Sequence, residues 1–189
     1  MTERNEWIDL KDNVETTIYE GILKLGYTED ESFSIYYDLD LLNYLLHTDF
    51  NNVNIMNDYL AGFSEYMADY IPGFSYSLLV NKRFKFTVLK NGILKIKDNN
   101  KNNIFLREII GLVNTQKFTI EDVIETFKKS GEEFCLETSE HPEFKYVIYF
   151  KDQTIDKFKY CFNFDELGSY YHRLLDFSYE QSLEEDHHH

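Results

Sequence analysis

The prevailing hydrophobic period changes near residue 130, and that change sets the fold class. Up to about residue 130 apolar side chains recur every three or four positions. From Glu132 they alternate, in EFCLETS, FKYVIYFK, DKFKYCFNF and SYYHRLL, with the turn-forming stretches HPE, DQTID and DELG between them. A 3.6-residue period buries one stripe of a helix, and a two-residue period buries one face of a pleated strand. The pattern predicts an α+β fold, with N-terminal helices and a short hairpin packed against a C-terminal four-stranded antiparallel meander. The helical part is expected over about residues 12–130 and the sheet over about 132–175, in a single domain covering residues 1–182.

Local signals refine the helical part. Val14, Ile18, Ile22 and Leu25 predict a first helix over residues 12–25, with Gly26 as a left-handed stop. SFSIYY reads as a short strand, after which Asp38 or Asp40 is placed to cap a second helix that ends near His47. Val53, Met56, Leu60, Phe63, Met67 and Tyr70 form the strongest stripe, and Ile71-Pro72-Gly73 ends it. In FKFTVLK-NG-ILKIK, Asn91-Gly92 suits the positive φ angles of a type I′ turn, which predicts a β-hairpin with Phe86 opposite Lys97 and Val88 opposite Lys95. A helix pair follows: Phe105, Ile109 and Leu112 line the first helix. Thr119 with Asp122 opens the second as a capping box, between Phe118 and Val123, and Ser130-Gly131 closes it.

Composition narrows the function classes. The 189 residues include 15 Tyr and 16 Phe, too much apolar ring surface for a disordered chain. The formal charge of −15 disfavours nucleic acid as a partner, because whole-molecule repulsion opposes the counterion release that drives phosphate binding. No apolar run is long enough to span a membrane, and MTERNEWIDL lacks the basic-then-apolar order of a secretory signal, so a cytoplasmic location is expected. Cys135 and Cys161 have no CxxC spacing and read as free, packed thiols. His187, His188 and His189 read as part of a purification tag, and residues 183–189 are set aside as its remnant.

The motifs KLGY, IYYDLDLLNYLL, FLREIIGLV with FTIEDVIETF, YVIYF and KYCFNFDELGSYYHRL, taken as a set, resemble a bacterial domain-of-unknown-function family over residues 21–176. The resemblance implies no activity, cofactor or catalytic residue. What it carries over is the pattern itself, including Tyr171-His172-Arg173.

Two constellations carry the available chemistry. His172 beside Arg173, in an aromatic strand, is the nearest thing to a poised base, with Asp165 and Glu166 in the preceding turn as its orienting carboxylates and Tyr170 on its own face. Strand alternation sends His172 and Arg173 to opposite faces unless a bulge intervenes. The second is cationic: residues 81–101 hold Lys82, Arg83, Lys85, Lys90, Lys95, Lys97 and Lys101 against Asp98, which leaves −21 for the rest of the chain. In the expected hairpin Lys82, Arg83, Lys85, Lys95 and Lys97 make an anion-binding face where Phe84 and Phe86 stack a base. The helix over residues 119–130 is a poor DNA reader, since Glu121, Asp122 and Glu125 would face phosphates. Asp38 and Asp40 form a DxD pair suited to Mg²⁺ only if a third carboxylate converges, and capping explains them without a metal. GxSxG, HExxH and paired CxxC motifs do not occur, so no metal, cofactor or catalytic residue is assigned.

The functional expectation is therefore a non-catalytic acidic binding or regulatory module that engages a basic protein partner or a second copy of itself. The alternative is a small-molecule-binding domain or enzyme with a pocket around His172.

Overall fold

The helical stripes and alternating runs fold as two compact units, Met1–Asn103 and Ile104–His189. The computed structural model describes residues 5–25, 32–152, 155, 156, 158–165 and 168–174. The α+β class holds, built from helices and antiparallel sheets.

In the first unit the elements are α1 (Asn5–Leu25), β1 (Phe33–Tyr37), α2 (Leu39–Leu46), α3 (Val53–Ala68), β2 (Phe74–Leu78), β3 (Phe84–Val88) and α4 (Lys90–Asn99). α1 begins earlier than the apolar stripe alone indicated, because Trp7 and Leu10 extend the buried face by more than a turn. Asp38 caps α2 by accepting from the Leu41 amide at 2.8 Å. His47 ends the helix in the left-handed region at φ 58. On α3, Met56, Leu60, Phe63 and Met67 are fully buried, while Tyr70 lies past the helix end and is exposed.

One expectation for this unit fails. Asn91-Gly92 is not a turn: β3 ends at Val88 and residues 90–99 form helix α4, with Ile93 and Ile96 buried. Four apolar residues within ILKIK and its flanks fit either period, and packing decided the choice. Gly92 serves close approach instead of positive φ. A Cβ there would stand 2.3 Å from a Val88 methyl and 2.5 Å from the Pro72 carbonyl oxygen. The true partners of β3 are β1 and β2, giving a three-stranded antiparallel sheet in the order β1-β3-β2, with Phe86 between Ile35 and Tyr76. The part expected to be helical therefore contains a sheet of its own. Phe86 packs on Phe63 of α3 with ring centroids 6.2 Å apart, and Phe74 and Tyr37 close round it at 5.3 and 4.8 Å.

The second unit comprises α5 (Ile104–Thr115), α6 (Ile120–Lys129), β4 (Phe134–Thr138), β5 (Tyr146–Phe150), β6 (Lys159–Asp165) and β7 (Gly168–Leu174). The strands form one antiparallel sheet in the order β4-β5-β6-β7. The α6 capping box is formed: Asp122 Oδ2 accepts from the Thr119 amide at 2.9 Å, and Thr119 Oγ1 accepts from the Asp122 amide at 3.3 Å. Gly131 follows at φ 78. Phe105 of α5 meets Phe127, Phe150 and Tyr160 edge-on at 4.7, 4.9 and 5.5 Å, which seats the helices on one face of the sheet. On the opposite face Val147 and Cys161 are buried with Phe144, so β5 and β6 are covered on both sides. Cys135 is half-buried and Cys161 buried, and neither is in a disulfide.

The contrast between two helical glycines tests this packing. Gly92→Ala is expected to lower the unfolding free energy by about 2 kcal/mol through overpacking. Gly111→Ala, whose new methyl meets nothing within 4 Å, is expected to raise it by about 0.5–1 kcal/mol. Urea denaturation measures both, and equal effects would refute the close-approach account of Gly92.

Candidate functional site

The β6–β7 register places the residues nominated around His172. The ladder is unbroken from Lys159 opposite Leu174 to Asp165 opposite Gly168, so no bulge intervenes, and His172 and Arg173 belong to opposite faces. His172 stands opposite Cys161 and Tyr170 opposite Asn163, whereas Arg173 stands opposite Tyr160. Asp165 is four ladder rows from His172, about 13 Å at roughly 3.3 Å per residue. The turn carboxylate is therefore too distant along the strand to orient that residue. Glu166 lies outside the described residues.

The carboxylate that the structure brings to this end of the sheet is Asp156, which the sequence reading passed over. It lies just before β6, where its Oδ1 accepts from the Phe158 amide at 2.8 Å in an Asx turn. Its Oδ2 accepts from the phenol of Tyr160 at 2.5 Å. Arg173 lays its guanidinium over the Phe158 ring at 4.3 Å. Burial raises the pKa of Asp156 above the ordinary aspartate range, while the Tyr160 hydroxyl, the Phe158 amide and the Arg173 charge each pull the other way without cancelling it. Phe158 and Tyr160 are buried. The arrangement holds a carboxyl, a phenol and a guanidinium together against apolar surface, where it retains a proton to higher pH than an exposed aspartate. An aspartate two residues before a Phe that immediately precedes a strand, and four before a buried Tyr, is the sequence signal that marks it.

On the opposite face a second polar group forms. Tyr149 donates its hydroxyl to Glu137, and Lys159 Nζ sits 4.4 Å from the Tyr149 ring. The Glu137 hydrogen bond, burial and the Glu137 charge push the Tyr149 phenol upward. It stays a neutral donor and offers no base.

The cations of residues 81–101 separate in space. Lys82, at φ 68, and Arg83 lie in the β2–β3 turn, Lys85 lies on β3, and Lys95 and Lys97 lie on α4. The single face expected of the five is thus not assembled, and Phe84 and Phe86 are fully buried and unable to stack a base. Arg83 instead covers Tyr36 of β1 at 5.4 Å. Beside the turn is a cleft of about 510 Å³ lined by Asp38, Asp40, Asn51, Asn52, Asn54 and Lys82. Asp38 and Asn52 are occupied there as helix caps, Asn52 accepting from the Asn54 amide at 2.7 Å. Among the described residues no three His, Cys, Asp or Glu side chains converge as metal ligands. His47 pairs through Nε2 with Asp9 of α1 at 2.7 Å, a contact that ties α2 to α1. The third histidine, His141, stacks flat on Phe144 at 4.2 Å.

The raised pKa of Asp156 has a definite sign in stability. A carboxyl whose folded pKa exceeds its unfolded value binds more protons in the folded state, so stability falls as pH rises from about 3.9 through the folded pKa. Relative to Asp156→Asn, which keeps an acceptor for Tyr160 and does not titrate, the wild type is expected to lose stability across that window. Urea denaturation at a series of pH values measures the difference, and a pH-independent difference would refute the assignment.

No curated protein matches the chain, and no solved structure does. No helix among the described residues is long and apolar enough to cross a membrane. A family model described as "Domain of unknown function, E. rectale Gene description" (DUF3877) matches residues 7–183. That match runs from the first turn of α1 to beyond the end of β7, and the chain belongs to this family of bacterial domains.

Proposed function

We propose that this protein is a non-catalytic binding or regulatory module of the cytoplasm, whose acidic surface engages a basic protein partner or a second copy of the chain. The observation that carries the reading is charge segregation. Residues 70–97 hold six cations and no acid, while the chain as a whole stands at −15. Segregated charge sets the orientation and rate of protein encounters. Tyrosine and arginine, in contact at Tyr36 and Arg83, are residue types favoured where proteins meet.

The alternative, a small-molecule site at the β7 end of the second sheet near His172, has its support in the Asp156, Tyr160 and Arg173 group, a carboxyl and a guanidinium held together against buried rings. It would show as a ligand-dependent rise in melting temperature that Asp156→Asn or Arg173→Ala removes.

Light scattering of the pure chain across a salt series, together with its retention of proteins from a bacterial extract, tests the binding reading. The expected result is a complex that dissolves as ionic strength rises above about 0.15 M. A chain that stays at its monomer mass of 22.7 kDa and retains nothing under any condition refutes it.

A further inference from the structure

The sheet of the first unit has one covered side. Its inner side carries Phe84, Phe86 and Val88, all fully buried. The other side carries Ser34, Tyr36, Ser75, Ser77, Lys85 and Thr87, each half-buried or exposed. Lys85 stands between Tyr36 and Ser77 in one cross-strand row, and the Ser34 and Thr87 hydroxyls bond each other at 3.1 Å in the next. Arg83 covers the outer ring, and Lys82 adjoins it in the turn. Lys11, Lys24, Lys101 and Lys151 lie 3.5–3.8 Å from carboxylates. Among the described residues Lys82, Arg83 and Lys85 have no carboxylate within ion-pair distance. A patch of positive charge without ion pairs thus sits on a strongly anionic chain.

We infer that this bare sheet face is a docking surface for an acidic protein surface and that its occupant is a second copy of this chain. The inference rests on the binding-module reading and names its partner. Charge complementarity carries it: outside residues 81–101 the chain sums to −21, so every copy supplies the anionic surface that the patch lacks. Two cationic patches repel, so the contact is heterologous, the patch of one copy against the acidic surface of another. A nucleic acid fits less well, because the only ring on this face is Tyr36 and Arg83 already covers it.

The physics gives this contact an unusual salt dependence. Two bodies of charge −15 repel at long range, and a Debye length of about 30 Å at 0.01 M lets that repulsion act. At about 0.1 M the length is about 10 Å, which screens the repulsion and spares contact pairs, and at about 1 M it is about 3 Å, which weakens the contacts too. Self-association should therefore peak near 0.1 M, whereas a basic partner would bind best at the lowest salt.

Sedimentation velocity of the full chain at these three ionic strengths is the test. The wild type is expected to form a species heavier than 22.7 kDa, most abundant at the middle salt. Arg83→Glu with Lys85→Glu should weaken it by about tenfold or more, with an unchanged circular dichroism spectrum. Tyr36→Ser, which alters no charge, is the second variant and should weaken it less. Because the double variant keeps its acidic surface, an equal mixture with wild type should still form a complex. Undiminished self-association of the double variant overturns this face as the surface and leaves the binding-module reading standing. A monomeric wild type at all three salts overturns the second copy as occupant. Binding of a single-stranded oligonucleotide through Arg83 and Lys85, without self-association, assigns the face to nucleic acid and likewise overturns it.

Discussion

A buried phenol must bring a hydrogen-bond partner with it, and this requirement organises the polar interior of a chain with 15 tyrosines. Rings of this size bury about 150–250 Å² each, which makes them the main source of core stability, but a hydroxyl left unpaired in the core costs about 1–3 kcal/mol. Four of the tyrosines each donate to a polar group. Tyr37 donates to Asn13 at 2.7 Å and fastens β1 to α1, and Tyr76 donates to the Asn57 carbonyl at 3.1 Å and fastens β2 to α3. Tyr160 donates to Asp156, and Tyr149 to Glu137. The groups that look most like reactive sites in the second unit are partners of tyrosines, and the raised pKa of Asp156 follows from its burial in the packing.

Much of the fold was legible because several signals agreed at one position. Thr119 with Asp122 before an apolar stripe, followed by Ser130-Gly131, gave the start and end of α6. The stripe from Val53 to Met67 gave α3, and Asp38 gave the cap of α2. The failure at Asn91-Gly92 has an equally local cause. Glycine carries two distinct meanings, conformational freedom and absence of bulk, and a sequence does not say which one is in use. Here the missing Cβ admits Val88 and the Pro72 carbonyl, a fact about tertiary contact. With that turn misread, the strand pairings drawn from it fell as well, and with them the aromatic and basic face on one hairpin.

The neighbourhood of His172 shows what strand sequences conceal. Alternation correctly separated His172 from Arg173, since that property is local. Proximity across a hairpin depends on register, and register put Asp165 at the far end from His172. Asp156 reaches the Arg173 side from the loop before β6, at a distance in sequence that no motif spans.

The two sheets make different demands on a chain emerging from the ribosome. Each strand of the second unit pairs with its neighbour in sequence, so closure proceeds hairpin by hairpin. In the first unit β1 finds its only partner in β3, and Phe33 waits for Val88, 55 positions later. During synthesis the FSIYY segment travels without its partner until α2, α3, β2 and β3 have been threaded behind it. Any holding factor or slow translation over that interval would act on β1 before any other strand.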